Sequence, residues 1–301
     1  MADSLERLPL TVAVPTYRRE AVLLQTLDDL LALRPAAAEL LVVDQTEAHE
    51  PSTTARLQSL DAAGAIRWLR LPRPSVTHAM NRALLEATQP RVLFVDDDVR
   101  PEPQLLAAHW DAHRALPQAL VAGRVVQPWE EEADAAGWEL SGLAARGEHE
   151  TREFIGCNFS LPREAAIAAG GFDENFVRVA YRYEAEFAHR FTARGGRIVF
   201  APRACLHHLK DGGGGTRAYG DHLTTWRPDH AVGAYYCGLR TGAPGEFLRR
   251  PLRAAATRYH LRRPWRIPAT LVAEARGMAW AIGLFLRGPR LLHAASPEAG
   301  R

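Results

Sequence analysis

Apolar residues run unbroken through positions 10–14, Leu-Thr-Val-Ala-Val, and then fall at helical spacing over 19–33, with the turn Pro15-Thr16-Tyr17 between them. A short β-branched run followed by a 3.6-residue period predicts strand, loop and helix. The pattern recurs. Residues 39–43 read as a strand ending at Asp44, 65–69 as a strand leading into a helix over 75–88, and 91–95 as a strand ending at Asp96. Strands alternating with helices predict an α/β fold with a doubly wound, mainly parallel sheet covered on both faces. In such sheets ligands bind beyond the carboxyl ends of the strands, where the strand order reverses. Asp44 and the run Asp96-Asp97-Asp98 stand at such ends.

The second half is less regular. A strand is expected over 154–161, a short helix over 163–169 stopped by Gly170-Gly171, a helix over 183–194 stopped by Gly195-Gly196, and a strand over 197–200. The run Asp211-Gly-Gly-Gly-Gly215 breaks the pattern and predicts a mobile loop. From about residue 223 the sequence becomes arginine-rich and helical in period. The expected organisation is therefore one domain over 1–222 and a basic helical extension over 223–301.

Charge sharpens that division. The chain has 301 residues, 47% apolar and 24% charged, with a net charge of +2, which excludes disordered and fibrous classes. Of the 37 basic residues only Lys210 is a lysine. Residues 238–301 contain 12 arginines and three acids, a net +9, so the first 237 residues sum to −7. An acidic main body argues against nucleic acid as a partner and leaves the tail as the contact for anionic surfaces. Within the tail, Leu271, Ala275, Met278, Ile282 and Leu286 share a helical face behind Arg249, Arg250, Arg253, Arg258, Arg262, Arg263 and Arg266. A basic flank with an apolar stripe suits either an anionic membrane surface or packing on the main domain. The charge-free run 277–286 is about half the roughly 20 apolar residues a spanning helix needs, so no spanning helix is expected. Cys157, Cys205 and Cys237 lie far apart and offer no zinc knuckle or redox dithiol, and residues 1–10 lack a leader-like apolar core. Both observations point to the cytoplasm, with the tail placing the protein peripherally on the inner face of the membrane.

Three carboxylates at a strand end concentrate negative charge where a ligand would sit. Alternation sends Asp96 and Asp98 to one side and Asp97 to the other. Hard divalent cations take one or two such carboxylates and complete their shell with water and phosphate oxygens. Equally, Asp98 would cap a helix starting near Pro101.

Taken in order, the motifs resemble those of the family 2 glycosyltransferases, inverting nucleotide-sugar enzymes of the GT-A fold, over about residues 9–217. Val12-Ala-Val-Pro15-Thr16-Tyr17-Arg18-Arg19 is similar to the opening strand and loop, whose edge holds the nucleoside. Asp44 matches the aspartate that reads the base, although Gln45-Thr46 depart from the usual continuation. Asp96, Asp97 and Asp98 fall on the DxD pattern. There the resemblance implies a first carboxylate at the ribose and a last one on a Mn²⁺ or Mg²⁺ ion bridging the donor's diphosphate. Ala79-Met80-Asn81-Arg82 resembles a segment in which an arginine is expected at Met80; His78 and Arg82 on the same helix would restore that charge, or form an ordinary solvated face.

Asn158-Phe-Ser-Leu-Pro162-Arg163 and Gly170-Gly171-Phe172-Asp173-Glu174 resemble the acceptor-side strand and turn. Tyr183-Glu184 aligns with the glutamate-aspartate pair at a helix start, which implies Glu184 as the catalytic base; helix-end electrostatics alone would also favour Glu184 and Glu186 there. Cys205-Leu-His207-His208 resembles the closing strand. Alternation allows only one of the two histidines into the site, and His208 is taken as the metal ligand. Gly212-Gly-Gly-Gly-Thr216-Arg217 resembles a phosphate-cradling loop with Arg217 as its fixed charge. The implied activity is metal-dependent transfer of a hexosyl or deoxyhexosyl group from a nucleotide-diphosphate sugar to a hydroxyl of a glycan, lipid-linked or small-molecule acceptor, as in polysaccharide biosynthesis. A dinucleotide-dependent oxidoreductase is disfavoured because the first turn lacks the glycine fingerprint. A catalytically silent binding module of the same fold is the rival reading, motivated by Met80 and Tyr183.

Overall fold

A computed structural model describes residues 7–136, 142–145, 147, 149–243 and 245–292. The readings that rest on the first six residues and on 293–301, including Glu298 and Arg301, lie outside the described residues. The chain runs β1 (Arg7–Thr16), α1 (Ala21–Ala32), β2 (Ala36–Asp44), α2 (Pro51–Ala62), β3 (Arg67–Arg70), α3 (Val76–Glu86), β4 (Arg91–Val95), β5 (Val99–Pro101) and α4 (Leu105–Ala115). It continues with β6 (Leu120–Val126), α5 (Glu131–Ala135), β7 (His149–Thr151), β8 (Asn158–Pro162), α6 (Arg163–Ala168), α7 (Tyr183–Ala193) and β9 (Ile198–His208). A 3₁₀ turn over Gly215–Tyr219 precedes the tail helices α8 (Ala231–Arg240), α9 (Gly245–Ala255), α10 (Arg258–Arg262) and α11 (Ile267–Leu286).

The sheet has the order β3-β2-β1-β4-β8-β6-β9-β5, with β7 also paired to β9. Strands β3, β2, β1 and β4 are mutually parallel, as the strand–helix alternation predicts. Beyond β4 the sheet is mixed, because β8 enters antiparallel to both β4 and β6. The order reverses between β1 and β4, so their carboxyl ends flank a crevice.

Both sheet faces are buried, which explains the unbroken apolar runs. Ala13, Leu41, Val43, Val92 and Phe94 point into one core, and Val12, Val14, Leu40, Val42, Leu93 and Val95 into the other. In the first core Phe94, Phe159, Phe172 and Phe187 form a continuous aromatic contact, with Phe172 and Phe187 centroids 4.7 Å apart, and this fixes α7 on the sheet. Truncating such a ring to alanine costs about 3–5 kcal/mol.

Two local expectations are corrected. The strand expected over 154–161 forms only from Asn158, because residues 154–157 turn to bring Cys157 beneath the crevice. Asp98 caps no helix: Val99–Pro101 instead pairs antiparallel with Leu206–His208, and α4 begins only at Leu105.

The tail is built into the first core. Ala231, Val232, Tyr235, Tyr236 and Cys237 of α8 and Ala281 and Leu284 of α11 join its buried cluster. The two helices approach closely at Gly277, where a Cβ would lie 2.6 Å from the Cβ of Ala231. The packed face of α11 is Thr270, Ala273, Glu274, Gly277, Ala281 and Leu284. Of the stripe singled out in the sequence, Met278 packs against the first core, whereas Leu271, Ile282 and Leu286 are exposed, Leu286 by 78%. By length and composition alone, residues Pro264–Leu286 would be long and apolar enough to cross a membrane, although one face of α11 is packed in the core. Glu274 on this helix is buried, accepting a hydrogen bond from Tyr235 Oη at 2.7 Å and pairing with Arg250 at 3.0 Å.

Candidate active site

The crevice beyond β1 and β4 is a cleft of about 280 Å³ lined by Pro15, Thr16, Tyr17, Arg19, Asp96, Asp97, Asp98, His208 and Arg217, among others. Its organiser is Arg19, which the sequence reading did not select. Its guanidinium is buried, and donates from Nε to Asp97 Oδ1 at 3.1 Å and from Nη2 to Asp98 Oδ2 at 3.0 Å. Nη1 donates to Asp211 Oδ1 at 2.8 Å and to the Gly213 carbonyl. One planar fork therefore ties the strand end, the acidic run and the glycine loop together.

Asp97 also accepts from Thr16 Oγ1 at 2.7 Å, so both its oxygens are engaged. Burial outweighs the pull of Arg19 and pushes its pKa up to about 7. Asp98 is equally enclosed and burial would raise its pKa as well. The hydrogen bond and charge of His208, with Arg19, more than offset this and hold it below the usual carboxylate range.

His208 and the two outer aspartates converge. His208 Nε2 lies 3.2 Å from Asp98 Oδ1 and 3.8 Å from Asp96 Oδ2. The three ligand atoms that gather within 4.8 Å of one another belong to Asp96, Cys157 and His208, with Asp98 beside His208, a cluster open to a Mg²⁺ or Mn²⁺ ion. The donor set of carboxylate oxygens and one imidazole suits such ions. Cys157 Sγ lies within 4.8 Å of Asp96 and His208 ligand atoms, but burial keeps the thiol protonated, with its pKa raised well above the ordinary value. His207, the neighbour in β9, faces away and contacts Glu102 at 2.9 Å and Glu131 at 3.2 Å.

The glycine loop is tied back to the turn that follows β1. Gly215 N–H donates to the Tyr17 carbonyl at 2.7 Å, and Gly214 sits at φ +63° with its Cα so near the turn after β1 that a Cβ would meet the Arg18 carbonyl at 2.1 Å. Only glycine fits there. The 3₁₀ turn that follows places Arg217 in the cleft, where Nη1 is buried without a hydrogen-bond partner, 3.8 Å from Asp98 Oδ2. An orphaned guanidinium nitrogen beside a cation-suited cluster fits a diphosphate.

On the other wall, Arg178, Ala180 and Arg182 all take positive φ, at 62°, 53° and 71°. Such backbone costs roughly 1–2 kcal/mol per residue and persists only where packing imposes it. It delivers Tyr183 and Glu184 to the start of α7 beside Gly156, which lines the cleft. A Cβ on Gly156 would lie 2.0 Å from Tyr183 Oη and 3.1 Å from Glu184 Oε1. Burial pushes the Glu184 pKa up to about 7, against the lowering effect of its own backbone N–H and that of Gly156. Glu186 points the other way and is held by Arg190, with bonds of 2.9 and 2.8 Å.

Five expected residues are not among those lining the cleft: Glu184, which lies behind Gly156, and four whose side chains are committed elsewhere. The Asp44 carboxylate is fully buried and occupied by Thr46 N–H at 2.8 Å, Trp68 Nε1 at 2.9 Å and His49 at 3.0 Å; Gln45 lines the cleft instead. Arg18, turned by its φ of 54°, pairs on the surface with Glu47 at 3.2 Å. His78 binds Glu174 at 3.0 Å, and Arg82 binds Glu86 one turn along α3 at 2.5 Å. Met80 itself lines the cleft, and the cations come from Arg19, Arg178, Lys210 and Arg217. Lys210, the sole lysine, was the one of the three unselected cations that composition marked out.

Residues 11–172 match the family model described as glycosyl transferase family 2. The chain is 28% identical over 210 residues to the succinoglycan biosynthesis protein ExoM of Rhizobium meliloti (strain 1021), covering 67% of each. Its fold is similar to that of the mannosyltransferase PcManGT from Pyrobaculum calidifontis, solved with GDP-Man and Mn²⁺. That match has a TM-score of 0.57 and 23% identity, over 94% of this chain and 79% of that one. It is also similar to GalNAc-T7, solved with UDP, GalNAc and Mn²⁺, with a TM-score of 0.61 and 10% identity over 92% of this chain and 55% of that one.

Proposed function

The chain belongs to glycosyl transferase family 2, with a GT-A fold, and from that premise we propose that it moves a sugar from a nucleoside-diphosphate donor to an acceptor hydroxyl in polysaccharide assembly, with inversion at the anomeric carbon. The observation that carries the reading is His208 set between Asp96 and Asp98, beside Arg217 Nη1, which has no hydrogen-bond partner and faces Asp98 at 3.8 Å. Asp96, Asp98 and His208 would hold the divalent cation, which supplies charge neutralisation for the departing diphosphate. Arg217, Lys210 and Arg19 add fixed positive charge along the same wall, stabilising negative charge as it develops. Pro15, Tyr17 and Gln45 form the edge that receives the nucleoside. Glu184 takes the acceptor proton at its carboxylate, and its pKa near 7 matches that task at neutral pH. Attack opposite the departing diphosphate inverts configuration in one step.

The tail supports a second contact. Leu248, Leu252, Leu261 and Trp265 are 69–81% exposed, beside Arg249, Arg253, Arg258, Arg262, Arg263 and Arg266. Apolar residues set among arginines suit an anionic bilayer, and the reading places the enzyme peripherally on a cytoplasmic membrane face. A thermal-shift screen of nucleotide sugars with Mn²⁺, followed by transfer assays on the stabilising donor, tests the function. Donor binding without hydrolysis or transfer would instead identify a silent binding module.

A further inference from the structure

Three strands meet at the cation position, and one of them brings a sulfur there. Antiparallel pairing of β4 with β8 sets Val95 opposite Asn158, so the next residues along, Asp96 and Cys157, leave the ladder as neighbours. Strand β9 supplies His208. One ligand atom from each of Asp96, Cys157 and His208 lies within 4.8 Å of the other two. Cys157 is buried and its thiol is free of any disulfide. It shares the field of the Asp96, Asp98 and Glu184 carboxylates and of Lys210. The nearby Arg19 is spent on Asp97, Asp98 and Asp211. His208 keeps ligand capacity: Nε2 meets Asp98 Oδ1 at 3.2 Å, while Nδ1 is buried with no hydrogen-bond partner.

The proposed transfer gives this thiol no part. Carboxylate and water suit Mg²⁺ and Mn²⁺, whereas thiolate and imidazole select zinc-like ions. Sulfur, nitrogen and oxygen from three side chains match the ligand count of catalytic zinc sites. Asp96 and His208 also line the cleft, so an ion they share is open to a further ligand. We propose that Cys157 is a ligand of the cation together with Asp96 and His208, and that its sulfur widens the site's preference for Zn²⁺ over Mn²⁺. The sulfur takes the ion in exchange for its proton, which leaves to solvent. This deepens the transferase reading by naming the class of cation, and rests on that reading only in setting the ion beside the donor's diphosphate.

Co²⁺, a spectroscopic stand-in for Zn²⁺, is titrated into the full chain and into Cys157→Ser and Cys157→Ala. The wild type is expected to show a sulfur-to-cobalt charge-transfer band in the near ultraviolet that both variants lack. Zn²⁺, measured by competition with a chromophoric chelator, should bind each variant at least about tenfold more weakly, while Mn²⁺ binding followed by electron paramagnetic resonance changes much less. Carboxylate and imidazole favour Zn²⁺ over Mn²⁺ in any case, so the comparison with the variants is what reads the sulfur. A wild type without the band, or a band that survives in both variants and so comes from Cys205 or Cys237, would overturn the inference. So would Zn²⁺ affinity that is unchanged, or that falls in step with Mn²⁺, since Cys157 would then only pack beneath the site. If one variant melts well below the wild type, the wild-type band and the other variant decide. A protein that shows the band but is stabilised by no nucleotide sugar keeps the sulfur ligand and loses the transferase reading; nucleotide-sugar binding with Mn²⁺ and no band does the reverse.

Discussion

Arg19 Nη2 lies 3.0 Å from Asp98 Oδ2, so the carboxylate that meets His208 is also the anchor of the arginine that ties down the glycine loop. Replacing Arg19 by Met leaves Asp97 and Asp98 buried with one partner fewer each. Removing one side of a buried pair costs about 3–5 kcal/mol, and chemical denaturation should show a loss of that size. A loss under about 1 kcal/mol would mean the arginine is dispensable.

Asp96→Asn and Asp98→Asn should each weaken Mn²⁺ binding, followed by electron paramagnetic resonance. Even outer partners of a metal site are worth 10–100-fold, so at least about tenfold is expected. Asp97→Asn should do less, because Asp97 serves Thr16 and Arg19. The opposite ranking would move the cation site.

Glu184→Gln should leave donor affinity nearly intact and depress the transfer rate by roughly 10² to 10⁴, with Glu186→Gln much milder in rate. The base must be ionised, so wild-type kcat/KM should fall as pH drops through about 7. Stability moves with the opposite sign. The folded state holds the Glu184 proton more tightly than the unfolded chain, so this residue's contribution is greatest at low pH and is lost as pH rises from the ordinary carboxylate value to about 7. Glu184→Gln should flatten that slope in melting curves taken across the same range.

Gly214→Ala places a Cβ against the Arg18 carbonyl at a positive φ. The loop must move off the turn after β1, which predicts weaker nucleoside-diphosphate binding in a protein whose circular dichroism is unchanged. Normal binding would show that Arg217 is positioned by something else.

Leu248→Glu/Leu252→Glu should reduce sedimentation with anionic vesicles without lowering the melting temperature, because both side chains are exposed. Wild-type binding should weaken as salt is raised. Equal partitioning of variant and wild type would remove the membrane contact.

The parallel half of the sheet was legible because strands buried on both faces read as continuous apolar runs; Asp96 was legible because it ends such a run, Asp98 by its spacing from Asp96, and His208 through the closing-strand resemblance and alternation. Strand β6 escaped notice: Gly123 and Arg124 interrupt its apolar run, and the buried Arg124 is satisfied by Asp134, the Ala144 carbonyl and Cys205 Sγ, partners that nothing local reveals. Asp44 was misplaced since nothing local reveals that His49 and Trp68 close over it. Arg18 and Arg19 exchange roles through a single positive φ, a conformation that non-glycine residues rarely advertise. Helix α3 supplies no cation to the cleft. Arg178, Lys210 and Arg217 arrive there from more than ninety residues downstream.

The segment after α11 closes on elements made long before it. Leu292 N–H donates to the Gly170 carbonyl at 2.7 Å, Arg290 N–H to Asp173 Oδ1 at 2.9 Å, and Glu174 N–H to the Arg290 carbonyl at 3.0 Å. During synthesis on the ribosome, the turn at 170–174 is therefore exposed for more than a hundred residues of further elongation before its backbone partners emerge. Its neighbour Phe172 belongs to the aromatic contact that seats α7, so the nascent chain can assemble its parallel strands early but completes the wall that carries Glu184 only when translation has passed residue 292.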